Sequence, residues 1–345
     1  MASSKIPLLV ERFDFIKLIQ NVQENFDVFL PYQTEYDGKD NLSYKKYSGD
    51  NDFVLNKYRT IDPLKTLFYL TSESVLPPSA ESRKRIVLGV KNCDLLALRI
   101  YDKALLEDNF VEPNYKIWRE NTYIISSDCD DALQSCHCNL MEYTPYPQKD
   151  DGLFDLNLSQ IDDKYIVTLG SKKGEKLLDL LYEHCNVKDA PEDILEKLTV
   201  QRDKVNKKLS EINKDFSAKR DYSKISKNQD VKVWSELSKE CVECGGCTNI
   251  CPSCYCIIVN DESVGADFKR IRTWDSCQLT GYAEVAGGGS PRERVWERFR
   301  NRYQCKFDFM KKNFSQYGCT GCGRCIAVCP AEIDQREVIK KLQEV

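Results

Sequence analysis

Two familiar phosphate-binding signatures are missing from this sequence. It has no G-x-G-x-x-G dinucleotide fingerprint and no G-x-x-x-x-G-K-S/T loop, so no dinucleotide or nucleoside triphosphate has a recognisable cradle. The nearest stretch, AGGGSP at 286–291, follows no clear strand and reads as a turn. No uncharged apolar run approaches the roughly 18 residues of a transmembrane helix, and the mean hydropathy is −0.51. The opening MASSKIPLLVERFDF offers too short an apolar run before Glu11 and Arg12 for a secretory signal. A soluble, cytoplasmic protein is therefore expected. Charge is nearly balanced, 50 basic against 54 acidic residues for a net −4, without the basic footprint that nucleic-acid binding requires. Histidine is scarce. His137 lies inside a C-H-C triplet, where it orients or ligates something, and His184 closes a helical stretch, where a helix-dipole contact suffices.

Cysteine, by contrast, is abundant, with 17 in 345 residues. The chain is too long and too charged for a secreted disulfide scaffold, and a reducing compartment keeps thiols free. Cys241, Cys244, Cys247 and Cys251 form C-x2-C-x2-C-x3-C followed by Pro252, and Cys319, Cys322, Cys325 and Cys329 repeat the intervals before Pro330. This is the ligand run of bacterial [4Fe–4S] ferredoxins, in which the fourth cysteine of each run serves the other cluster. The expected sets are Cys241, Cys244, Cys247 and Cys329 for one cluster and Cys319, Cys322, Cys325 and Cys251 for the second. Gly245, Gly246, Gly321 and Gly323 let the backbone coil closely with its N–H groups turned to sulfur. A zinc ribbon needs two C-x2-C pairs rather than three-plus-one runs.

The chain divides where its texture changes. Residues 1–190 read as an α/β domain. RIVLGV (85–90), NTYIIS (121–126) and KYIVTLG (164–170) are strands; CDLLALRIYDKALL (93–106) is helical, and Ser171 caps a helix ending near His184. Residues 191–235 form a charged helical connector. Residues 236–345 form an α+β ferredoxin-like domain carrying the two clusters, with a 67-residue insertion at 252–318 between the cysteine runs. In that insertion Ser290 and Glu293 read as a capping box with Pro291 at the first helical position. Val295, Trp296, Phe299 and Tyr303 then line a buried face, while Arg292, Arg294, Arg298, Arg300 and Arg302 crowd the rest, as a solvated or a docking surface. Cys254, Cys256, Cys277 and Cys305 lie in this insertion and read as free buried cysteines, with ligation as the alternative, since eight ligands exist without them. Trp274, Tyr255 and Tyr317 neighbour the cysteine motifs and read as packing that keeps water away.

Cys93, Cys129, Cys136 and Cys138 fall outside both runs. Cys93 and Cys129 each follow a strand closely. If the two strands are parallel neighbours, both thiols emerge at the carboxyl edge, where open α/β sheets bind ligands. A helix N-terminus after Cys93 is expected to lower its pKa. A third iron–sulfur cluster on these four is the expectation, set against buried apolar cysteines, a disulfide, or a zinc site in which His137 replaces a thiolate.

Four stretches, GVKNCDLLALRIYDK (89–103), CDDALQSCHCNL (129–140), CVECGGCTNICPSCYC with its following RTWDSC, and YGCTGCGRCIAVCP (317–330), resemble the iron–sulfur β subunits of soluble multi-subunit [NiFe] hydrogenases and the related A subunit of anaerobic sulfite reductase. The resemblance covers nearly the whole chain. It implies an electron-transfer subunit in a hetero-oligomer, working anaerobically between a flavoprotein that handles NAD(P)H and a catalytic partner of hydrogenase, sulfite reductase or heterodisulfide reductase type. No C-x-x-C pair outside the cluster runs suits a nickel site, so substrate chemistry is expected in another subunit and no catalytic residue is assigned here. The alternatives are an oxidoreductase subunit with its own flavin or substrate site in the α/β domain, and a metal-stabilised scaffold.

Overall fold

RIVLGV and TYIISS, each built on an apolar run and buried throughout, are central strands covered on both faces. The computed structural model describes residues 7–36, 38–107, 111–148, 152–217 and 221–344. Its strands are β1 (Leu8–Glu11), β2 (Asp27–Tyr36), β3 (Lys39–Lys46), β4 (Ser72–Leu76), β5 (Arg85–Val90), β6 (Thr122–Ser127), β7 (Leu156–Ile161), β8 (Lys164–Leu169), β9 (Lys188–Asp189), β10 (Ile257–Val264) and β11 (Asp267–Trp274). The main sheet has the order β3-β2-β5-β6-β7-β8-β1-β9. Its centre, β2-β5-β6-β7, is parallel. The flanking pairs are antiparallel, including KYIVTL (β8) with β7. The fold is thus mixed α/β.

Helices Arg12–Val22 and Glu175–His184 cover one face of the sheet through Phe15, Ile19, Leu177 and Leu181, packed on Leu30, Ile86 and Leu156. Helix Asn92–Leu105 covers the other, with Leu95, Leu98 and Tyr101 buried against Val87, Val90 and Ile124. The helix after β8 opens at Glu175, a turn beyond Ser171; Ser171 Oγ accepts from Gly174 N at 3.1 Å within that extra turn.

The charged stretch forms one helix, Glu192–Ile212, which buries only Ile194, Leu198, Val205 and Leu209. Beyond it, Tyr222 and Trp234 join Phe299, Tyr303, Phe307, Ile339 and Leu342 in a separate aromatic-rich core. β10 and β11 form a hairpin whose second strand pairs with β4, tying the segment between the cysteine runs to the α/β part.

Two expectations about residues 290–307 need correction. The helix begins at Val295 rather than Pro291, because Glu297 Oε2 accepts from Arg294 N at 2.9 Å, while Ser290 Oγ accepts from Arg292 N in a preceding turn. Arg298 and Arg302 lie inside, 2% and 5% exposed, instead of crowding the solvent face. Arg298 is held by Glu243 and by the carbonyls of Arg292 and Glu293.

Candidate metal centre

The two cysteine runs fold into the same turn. In each, a glycine with φ +70°, Gly245 or Gly323, opens a four-residue helix, Gly246–Asn249 or Arg324–Ala327. The backbone bonds correspond one to one. Thr248 N and Asn249 N reach Gly245 O at 3.1 and 3.0 Å, and Ile326 N and Ala327 N reach Gly323 O at 3.2 and 3.1 Å. Cys251 N and Cys329 N then close on Thr248 O and Ile326 O at 3.2 and 3.3 Å. Three cysteines line each loop, and the fourth sits past its helix.

The neighbours of Cys329 include all three loop cysteines of the other run. It lines one cavity with Cys241, Cys244 and Cys247, and with Cys325 of its own run. Burial raises the Cys241 thiol first, and Cys329 and Cys244 raise it further. Burial raises Cys319, Cys322 and Cys325, the last to about 12, and Cys251 raises each a little further. Cys251 itself is held below the ordinary thiol range by a hydrogen bond from Cys254, then by Lys306 and Arg302. Thiols crowded in this way resist ionising one by one, whereas a coordinated metal deprotonates them outright.

Arg302 tests whether the residues suit an anionic cluster. Burial opposes its charge, but Cys247, Cys325 and Cys251 surround it and hold the guanidinium protonated. Its Nη1 donates to Gln335 Oε1 at 3.2 Å, while its buried Nε has no hydrogen-bond partner among the described residues. A buried cation with an orphaned donor amid thiols fits a negatively charged, sulfur-rich group. Among the described residues no three Cys, His, Asp or Glu side chains close on one point as a single ion requires. Two three-plus-one cysteine runs are the ligand pattern of clusters, whereas a zinc ribbon uses two C-x2-C pairs.

The N-terminal cysteines meet the second run. β5 and β6 are parallel with Val90 opposite Ser126, and Cys93, Cys129, Cys136 and Cys138 line one cavity with Cys322, Lys91 and Arg59. The Cys93 thiol is pushed well up rather than down, because its burial and Asp94 outweigh Arg324 and the short reach of a helix N-terminus. Burial raises Cys129 to about 12 despite Lys91. Arg59 Nε donates to Cys322 O, and Lys91 Nζ donates to Leu55 O, Ser127 Oγ and Asp128 O at 2.6, 2.9 and 2.7 Å.

His137 turns away from this set. Its Nδ1 lies 2.9 Å from Ser135 O and its Nε2 3.7 Å from Cys319 Sγ and 3.4 Å from Gln335 Nε2. Burial lowers its pKa to about 4, so a neutral ring with Nδ1–H donating to Ser135 faces the second run. Its N–H in turn donates to Gly321 O at 2.8 Å. Sequence reasoning missed Arg302, Gln335 and Arg59, none of which lies in a cysteine motif. Trp274, Tyr255 and Tyr317 pack in ring clusters with Tyr69, Tyr101 and Phe307.

Residues 240–333, which contain both cysteine runs, match the 4Fe-4S dicluster domain family. The chain is 32% identical over 289 residues to the sulfhydrogenase 2 subunit beta of Pyrococcus furiosus, covering 82% of this chain and 81% of that one.

Proposed function

Because the chain belongs to the family of iron–sulfur beta subunits of hydrogenase-type complexes, we propose that it relays single electrons in a cytoplasmic hetero-oligomer, between a flavoprotein that handles NAD(P)H and a catalytic subunit of hydrogenase, sulfite reductase or heterodisulfide reductase type. The relative's name, which makes it the beta subunit of a sulfhydrogenase, supports a catalytic partner that handles hydrogen or sulfur. Among the described residues no helix is long and apolar enough to cross a membrane.

Two [4Fe–4S] clusters, bound in a ferredoxin-like dicluster part at 236–345, supply the one-electron chemistry. Cys241, Cys244, Cys247 and Cys329 would hold one; Cys319, Cys322, Cys325 and Cys251 the other. The observation that carries this reading is the cavity Cys329 shares with the three cysteines of the first run. Arg302 balances charge between the sets, and Gln335 Nε2 donates to Cys319 Sγ at 3.1 Å, stabilising negative charge on sulfur. Cys93, Cys129, Cys136 and Cys138 would hold a third cluster in the α/β part at 1–190, with Cys322 beside it. The carboxyl edge of the parallel strands, where a flavin would otherwise be sought, is taken up by these thiols.

Anaerobic purification of the native complex, with identification of its subunits, tests the relay. NAD(P)H is expected to bleach the cluster absorbance of this chain only when the flavoprotein subunit is present. Bleaching of the isolated chain by NAD(P)H would favour a flavin of its own instead.

A further inference from the structure

Cys254, Cys256, Cys277 and Cys305 remain after both ferredoxin runs and the N-terminal set, and separate segments bring them together. Cys256 leads into β10, whose Ile257 pairs with Trp274 of β11. Asp275 N then donates to Cys256 O at 2.9 Å, so the chain carrying Cys277 returns beside Cys256. Gln278 Nε2 reaches Cys277 Sγ at 3.4 Å and Arg298 O at 2.9 Å, fastening this turn to the helix Val295–Gln304. That helix continues through a π turn at Cys305–Phe309, an irregularity that often marks functional sites.

Electrostatics reports the same proximity. Beyond their burial, Cys256 is raised by Cys305, Cys277 by Cys256 and Cys305 by Cys277. Cys254 hydrogen-bonds Cys251 at the edge of the group. All four thiols are free.

Two buried lysines flank them. Lys306, 2% exposed, has Nζ 2.7 Å from Ser253 Oγ, and its anionic neighbours are Cys251, Cys254 and Cys305. Lys65, 4% exposed, donates to Cys254 O at 3.0 Å and lies 4.0 Å from the centre of the Trp274 ring; burial lowers its pKa to about 8, and the nearby Cys254, Cys251 and Cys256 offset part of that. Neither meets a carboxylate within ion-pair reach among the described residues. A buried ammonium without an anion is costly, and the groups around these two among the described residues are cysteines, whose thiols metal binding would ionise.

We propose that Cys254, Cys256, Cys277 and Cys305 ligate a further iron–sulfur cluster, next to the second ferredoxin run, with Lys65 and Lys306 balancing its negative charge. An all-cysteine set of four beside the ferredoxin runs suits an iron–sulfur cluster, and a four-thiolate zinc site is the rival that a metal count separates from it. The site stands on its own whether or not the chain carries electrons.

The test uses the full chain isolated anaerobically, with iron, sulfide and zinc counted per chain. A Cys93→Ser chain, which disables the N-terminal set, is expected to keep about twelve irons, three cubes' worth. About eight would overturn the proposal, as would one zinc in place of the missing iron. Adding Cys277→Ser should remove about four more irons while the magnetic signals of the ferredoxin pair persist. Iron unchanged by Cys277→Ser in a chain of native elution would also overturn it. If that variant does not fold, the count on Cys93→Ser alone decides.

Discussion

Gly321 and Glu243 occupy the same place in the two cysteine turns and share a left-handed backbone, with φ +70° and +55°. A side chain is tolerated at 243 because it points to Arg298. At 321 a Cβ would collide with the backbone of His137 and Cys138. Glycine at 321 therefore answers to packing against the N-terminal loop as well as to its own dihedrals. Gly321→Ala is expected to destabilise the chain by about 2 kcal/mol or more, and to weaken both the second-run cluster and the Cys136–Cys138 loop. Chemical denaturation with cluster absorbance as the probe checks this; Glu243→Ala, in the equivalent backbone, should perturb the second-run cluster far less. The sequence marks Gly321 as a cluster-loop glycine, but the collision involves residues more than 180 positions away, which no local pattern shows.

Under the proposed crossed ligation each turn sends its last cysteine to the other, so that the two act as a pair. Cys329→Ala is therefore expected to damage the cluster held by Cys241, Cys244 and Cys247, and Cys251→Ala the cluster held by Cys319, Cys322 and Cys325. Magnetic spectroscopy on each variant distinguishes the clusters, and damage confined to a variant's own run would contradict the crossing. Spacing alone made the 4Fe-4S dicluster motif legible, since C-x2-C-x2-C-x3-C-P is a local rule. Central strands were equally legible, because RIVLGV and the YII of TYIISS are short apolar, largely β-branched or aromatic runs. The start of the helix at Val295 was not, since Ser290 and Glu293 imitate a capping box one turn early and only the bond between Glu297 and Arg294 decides. The inward turn of Arg298 and Arg302 was hidden for a related reason: arginine on a helix reads as surface until its buried partners, Glu243 and the cysteines, are known.

Across the whole molecule, the α/β part and the dicluster part are joined by buried charge. Arg324, the second residue after Cys322, reaches Asp94 at 2.8 Å with both side chains sealed from solvent, and its Nε donates to Thr60 O at 3.1 Å. Arg59 and His137 add backbone bonds onto the same turn. The second cysteine run thus lies between its partner run on one side and the N-terminal cysteine cavity on the other, a position suited to passing charge along the chain's length. An EPR-monitored reductive titration of the anaerobically isolated full chain tests this most directly. The account predicts at least two one-electron clusters per chain, whose signals broaden or split through mutual coupling as both become reduced. A colourless, zinc-loaded chain that takes up no electrons would contradict it.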